Sequence, residues 1–408
     1  MSKRKSERIN ENNLFNLIEN NQLNIFRKKL KNCNNIEMRN ENNDTLLMYA
    51  VKNNNVDMVK ELLKTDINVN MIVKYNAKVN LTALILACEE GYSDIVRELL
   101  KCDTIDVNVK VYYYQEDDQY ENDSQFNQEK NEADNGGTTA LISACKRCHL
   151  DIVRELLKCD NLDINMQVNF DEDSNGGTTA LISACKVGNY DIVRELLKCD
   201  NIDVNLCDID DDYKWGNTAL MWSCKNGYFK IVRDLLKKGD ININYQNIVE
   251  MTALHYACEE GNLKIVKELL KNENIDVSIV DNGGLNNLMS ACENGYTDIV
   301  IELLKYDNLD INLEHDGDSS TALMFACREG NTRIVQELLK YPTIDINYQD
   351  NYGGETALMI ACNEGNFDIV KELMKCENID IHLKNKDNKT AMDIIIDNNA
   401  DILKTLIS

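Results

Sequence analysis

A ten-residue phrase, T-A-L-x-x-A-C-x-x-G, returns along most of this 408-residue chain. It reads Thr82, Ala83, Leu84, Ala87, Cys88, Gly91, and it opens again at Thr179, Thr218, Thr252, Thr321 and Thr356. Each copy runs on into D-I-V-x-E-L-L-K and then I-D-V-N, or close variants. From Thr252 onward the phrase recurs every 34 to 35 residues, with Asn286-Asn287-Leu288 filling the one gap. Self-similarity at such a period means that one supersecondary unit is repeated, and that each unit must bury its apolar face on the next. A chain of this length would otherwise divide into two or three domains. A stack avoids that limit because its core grows along one axis.

Within a unit the spacing specifies two short helices. Leu84, Ala87 and Cys88 stand at i, i+3 and i+4, one stripe of a first helix. Thr82 offers its hydroxyl to an amide at that helix's start. Gly91 ends it, and Asp94 is expected to cap the second, antiparallel helix, whose stripe is Ile95, Val96, Leu99 and Leu100. The small Ala87 and Cys88 permit close approach of neighbouring helices. The β-branched I-D-V-N tail is expected to leave the stack as a finger-like turn.

These motifs resemble the ankyrin repeat family, over roughly residues 11 to 408. The fold class implied is an all-α solenoid of helix–turn–helix units with projecting finger turns, about eleven units counting degenerate ends. Residues 1–10 form a polar, basic tail and 11–44 a degenerate N-terminal capping unit. Residues 45–389 hold nine repeats and 390–408 a truncated C-terminal cap. The family's T-P-L-H-x-A-A here becomes T-A-L-x-x-A-C, and among the repeats only His255 keeps the histidine. The resemblance implies a non-catalytic scaffold or adaptor that binds a protein partner through a concave groove. It also makes Asn108, Asn165 and Asn205 occupants of a finger position at which such proteins can be hydroxylated; a local role, satisfying turn backbone, is the simpler expectation.

Composition narrows the partner. The formal net charge is −25, which disfavours sequence-independent nucleic-acid binding and anionic membranes, since both need cationic surface. No apolar run approaches bilayer length, and Met1 to Arg8 is too charged to open a secretory signal. Eight of fifteen cysteines share one helix position (Cys88, Cys145, Cys185, Cys224, Cys258, Cys292, Cys327, Cys362) and four share another (Cys102, Cys159, Cys199, Cys376). Such placement points to a row of reduced thiols acting as small hydrophobes, in the cytoplasm or nucleus. Cys145-Lys146-Arg147-Cys148-His149 imitates a haem-attachment motif, but Cys148 merely replaces the inter-helix glycine. Asp171, Asp173 and Asn175-Gly176 imitate half a calcium loop whose twelfth position is Ile182, not glutamate. With four scattered histidines and no nucleophile–base pairing, no catalytic residue and no cofactor is expected.

What is particular to this chain lies in uneven spacing. From Thr82 to Thr139 is 57 residues, then 40 to Thr179 and 39 to Thr218. The surplus maps to three adjacent fingers, at about 109–137, 166–178 and 206–217. They carry Tyr112, Tyr113, Tyr114, Glu116, Asp117 and Asp118; then Phe170, Asp171 and Asp173; then Asp210, Asp211, Asp212, Tyr213 and Trp215. Acid interleaved with aromatics suits a basic peptide or protein tail. The groove-side positions of the same units are basic (Lys146, Arg147, Lys186, Lys225), whereas neighbouring units carry Glu89-Glu90, Glu259-Glu260 and Glu293. The fingers therefore either clamp a partner, fold over their own basic helices, or remain solvated. A second expected contact stripe is Trp222, Tyr256 and Phe325, at the groove edge in this family, with packing beneath the fingers as the alternative. The expected molecule is a monomer; the competing functions are a calcium- or metal-responsive binder using the acidic fingers and a substrate-recruiting subunit of a complex such as a ubiquitin ligase.

Overall fold

The computed structural model describes residues 14–74, 80–112, 137–168, 177–210 and 214–399. The chain folds as two units, one running up to Ala219 and a second starting at Leu220. Both are built from antiparallel helix pairs. In the first unit the leading helices are Leu46–Lys52, Ala83–Glu90, Ala140–Lys146 and Ala180–Val187, and each is followed by a partner such as Val56–Leu62 or Ser93–Leu99. Residues 14–19 and Leu23–Leu30 form a further pair at the start. In the second unit the leading helices are Ala253–Glu259, Asn287–Glu293, Ala322–Arg328 and Ala357–Asn363, followed at the end by Ala391–Asn399. Leading helix packs on leading helix and following on following within each unit.

The start of each leading helix follows from its threonine. The Thr82 hydroxyl accepts the Ile85 amide at 3.2 Å, and Thr45, Thr139, Thr179, Thr321 and Thr356 do likewise. Asn286 substitutes with its Oδ1, 2.8 Å from the Met289 amide. The following helices begin differently from expectation. Asp94 lies inside the first turn, beyond the cap residue Tyr92, and pairs with Arg97 at 2.5 Å. Side-chain caps at this point come instead from asparagines one residue before the helix, Asn55 and Asn189.

The I-D-V-N segment also behaves differently. Its second apolar residue, as in Val69, Val107, Ile164, Val204 and Val277, is buried rather than projecting. The asparagine after it joins neighbouring repeats. Asn165 donates through Nδ2 to the Asn201 carbonyl at 2.7 Å, while its Oδ1 accepts the Asp203 amide at 2.8 Å. Asn70, Asn108, Asn244, Asn312 and Asn347 make the same two-way bond to the next repeat. These asparagines are thus inter-repeat clamps, which corrects the expectation of a purely local turn role. A primary amide suits the task because it donates and accepts side by side.

The finger proper starts after the clamp. Short antiparallel strands close its base, Val73–Lys74 with Asn80–Leu81, Val111–Tyr112 with Gly137–Thr138, and Cys207–Asp210 with Lys214–Thr218. Val168 and Thr178 form a single bridge at the finger between the last two. The eight repeat cysteines are all buried, and those at the second position are half-buried. Burial drives the Cys145 and Cys258 thiols far above their ordinary pKa, so they pack as apolar groups. Among the described residues no helix is long and apolar enough to cross a membrane.

Candidate partner-binding surface

The acidic fingers grow from the strand pairs of the first unit. Eight acidic residues and one lysine lie in 113–136, between the two strands that close the longest finger. Tyr113, Tyr114, Glu116, Asp117 and Asp118 fall there, outside the described residues, as do Phe170, Asp171, Asp173, Asp211, Asp212 and Tyr213. Tyr112, Asp210 and Trp215 belong to the closing strands, with backbone in register at Tyr112 to Gly137, Asp210 to Lys214 and Ile209 to Trp215.

Where the third finger meets the repeats, charge is neutralised within the chain. Lys186 reaches Asp208 at 2.6 Å, and Asp208 is almost fully buried. The same carboxylate accepts the Asn217 amide across the strand pair at 2.7 Å. Gln167 donates to the carbonyls of Gly177 and Cys207, tying the second finger's base to the third. This one pair matches the reading in which a finger folds over its own basic helix. Of the other basic groove-side residues, Arg147 is exposed and Lys146 half-buried. No motif in the sequence marks Asp208 as the anchoring acid, since Asp210, Asp211 and Asp212 stand beside it.

The C-x-x-C-H imitation is likewise absorbed by repeat packing. Cys145 is in the core, and Cys148 is exposed with φ of 62°, the left-handed backbone that glycine occupies in other repeats. His149 Nε2 lies 3.2 Å from the Glu89 carbonyl of the preceding repeat. Asn331 and Asn366 make the same link to the Cys292 and Cys327 carbonyls. Among the described residues no group of three or more His, Cys, Asp or Glu side chains is arranged to hold a metal ion.

The aromatic stripe is not the exposed run expected at the groove edge. Tyr256 is 2% exposed and Phe325 6%, while Trp222 is half-buried. The Tyr256 hydroxyl accepts from Asn247 Nδ2 at 3.1 Å, which fixes the ring beneath its own finger. Phe325 packs edge-on against His315, with centroids 5.9 Å apart, and carries the Arg328 guanidinium above its face at 5.5 Å. Arg328 is itself held by Asp318 and Ser320, at 3.3 and 3.0 Å. The Lys225 ammonium stands 5.5 Å from the centroid of Trp222 and 5.6 Å from that of Tyr256. Cations from the ends of leading helices therefore cover these rings. The pairing of Trp222 with Lys225 and of Phe325 with Arg328, each at i and i+3, was the signal available in the sequence for this.

Comparison with known proteins agrees with the repeat architecture. A family model described as ankyrin repeats (3 copies) matches residues 14–111, 122–208, 204–281, 274–350 and 323–408. No curated protein matches the chain. With paired helices, threonine-capped starts and inter-repeat asparagine clamps, and with that model matched over most of its length, the chain belongs to the ankyrin-repeat family, whose repeats are in general protein–protein interaction modules.

Proposed function

We propose that the protein is a non-enzymatic scaffold that binds a basic protein partner through the acidic, aromatic fingers of its first unit. The observation that carries this reading is the excess charge between the closing strands of the longest finger. Eight acids against one lysine stand on a strand pair anchored in the repeats. Surplus acid on adjacent fingers attracts a basic chain from a distance and raises its encounter rate. Rings in the same segments, among them Tyr113, Tyr114 and Phe170, supply contact area. The −25 net charge favours the same partner class and opposes nucleic acid.

The test replaces residues 113–136 with a short Gly-Ser link, which keeps both closing strands. Intact and shortened proteins are used in parallel to capture partners, identified by mass spectrometry. A basic protein retained by the intact chain and lost from the shortened one is the expected result. Equal capture by both rejects the finger as the binding element. Calcium addition to the same samples, followed by thermal melting, addresses the competing sensor reading, which requires a higher melting temperature with calcium.

A further inference from the structure

In the second unit the following helices stand in one row. Leu263–Leu269, Thr297–Leu303, Thr332–Leu338 and Phe367–Leu373 each pack on the one before. Among the described residues no helix continues the row past Phe367–Leu373. A groove of about 780 Å³ lies there instead, its apolar lining drawn from Leu358, Val370, Met374, Ile381, Met392 and Ile395. Repeat positions that are covered elsewhere lie open beside it. Ile381 is 37% exposed, whereas its equivalents Val277, Ile311 and Ile346 are buried. Met392 is 45% and Ile396 48% exposed, whereas Leu358 and Cys362, at the same places in the preceding leading helix, are buried.

A ladder of charge along the row also stops short. The residue at x in D-I-V-x-E-L-L-K reaches the glutamate of the next repeat. Arg97 meets Glu155 at 3.4 Å, Arg154 meets Glu195 at 2.9 Å and Lys267 meets Glu302 at 3.2 Å. Gln336 hydrogen-bonds Glu372 in the same way. The next rung belongs to Lys371, an exposed residue whose ammonium lies 4.0 Å from Asp368 of its own helix.

We propose that residues 401–408 seat in this groove as the next following helix and form a weakly held latch over it. They lie outside the described residues and read D-I-L-K-T-L-I-S. Laid on the D-I-V-K-E-L-M-K of residues 368–375, they place Ile402, Leu403 and Leu406 where Ile369, Val370 and Leu373 are buried. That stripe is what the open Met374, Met392 and Ile396 lack, and covering them drives the docking. So short a stretch does not hold a helix alone in water, so order and docking come together. The hold is weak because two bonding positions are changed. Thr405 stands at the place of Glu372, which leaves Lys371 without its rung. Ser408 stands at the place of Lys375, which removes the pair that Lys375 makes with Glu372 at 2.8 Å. The latch therefore releases more readily than any complete following helix. It belongs to the second unit and stands apart from the finger reading.

The experiment follows hydrogen exchange of the full chain by mass spectrometry, in peptides covering 367–375 and 391–396. Leu406→Asp is expected to speed exchange there by roughly tenfold or more, because it puts a charge in the apolar stripe. Ser408→Asp places the same residue off the stripe, at the position where Lys375 is exposed. It is expected to change exchange by less than about twofold. Thr405→Glu, which supplies the rung to Lys371, is expected to slow exchange by about twofold, a result that a misfolded variant does not give. Wild type is also measured at a low and a high protein concentration. Equal exchange in Leu406→Asp and Ser408→Asp rejects the latch, and unchanged or faster exchange in Thr405→Glu rejects its register. Protection that grows with concentration assigns the groove to a second copy of the chain and likewise overturns the proposal.

Discussion

The two units are made of the same repeat and differ in their fingers. In the first, the closing strands at Val111–Tyr112 and Cys207–Asp210 lead into extra acidic length. In the second, each finger is a tight turn bonded to the next. The Asn282 amide donates to Val249, Asp316 to Gly283 and Lys386 to Gly353, while Asn351 reaches Ser319. Beneath this difference the clamps are unchanged: Asn165 in the first unit and Asn347 in the second make the same pair of bonds. Finger length is therefore free to vary where such an asparagine secures the repeat before the finger begins. Insertions past such an anchor cost little in loop entropy.

The strongest way to break the comparison acts at the inter-helix position. Gly261 of the second unit has φ of +67°, and a Cβ there would fall 2.5 Å from the Tyr296 ring of the next repeat. Gly261→Ala is expected to cost about 2–3 kcal/mol in urea unfolding, from backbone strain plus overpacking. Cys148 holds the equivalent place in the first unit at φ 62°. Cys148→Gly is expected to stabilise by about 1 kcal/mol. Were both substitutions neutral, the stacking role of this position would be wrong.

Next in size are the clamps. Asn165→Ala and Asn347→Ala each remove two inter-repeat hydrogen bonds, for an expected loss of about 1–2 kcal/mol per variant. Near-equal losses in the two units, read by hydrogen exchange of the flanking peptides, are what a shared anchor requires. A markedly smaller loss beside the long fingers would show that the first unit relies on its strand pairs instead.

Asn287 is the second unit's own defect. It stands where the other repeats carry alanine, or Leu46 after Thr45, fully buried, with its Oδ1 lacking a hydrogen-bond partner. Asn287→Ala is expected to raise stability by roughly 1 kcal/mol by removing an unsatisfied acceptor. An unchanged or lower melting temperature would contradict that account.

The remaining effects are set by pH and separate the units by window. His255 is buried, its Nδ1 accepting the Thr252 amide at 3.1 Å, and burial lowers its pKa from 6.5 to about 4. A base with a depressed folded pKa contributes stability that is present above its ordinary value and lost as pH falls from 6.5 through 4. In the first unit Glu61 is lowered from 4.5 to about 2 by hydrogen bonds from Arg27 and then Lys64. Its contribution is present above its ordinary value and fades only as pH falls from 4.5 toward 2. Hydrogen exchange during acid titration should therefore show the second unit loosening first, and His255→Met should delay it. Simultaneous loosening with histidine intact is the contrary result.

Much of this was legible because a repeat prints its own register many times over. Thr82 and its equivalents announced the caps, the cysteine row announced its burial, and Cys148-His149 was recognisable as altered repeat positions. Other features were hidden. Asp94 looked like a cap because a carboxylate near a helix start has two uses, and only backbone geometry separates an end residue from a first-turn ion pair. Tyr256 and Phe325 were expected at an exposed edge; their burial depends on finger residues such as Asn247 and His315 folding back over them. Asp208 could not be told from the neighbouring Asp210, Asp211 or Asp212 by composition, since only the seating of the strand pair on the repeats decides which acid reaches Lys186.

By itself the sequence determined the family, the helix pairs, the stripe of core residues and the location of the surplus acidic length. These depend on local periodicity and on short-range bonding that each unit repeats. Only the tertiary structure decided which polar side chains are consumed within the protein. It turned the finger asparagines into clamps between repeats, sealed Lys186 with Asp208, and seated Lys225 across two rings. Each of these joins residues some 20 to 40 positions apart, and a hydrogen bond or cation–π contact at that separation exists only once neighbouring repeats have stacked.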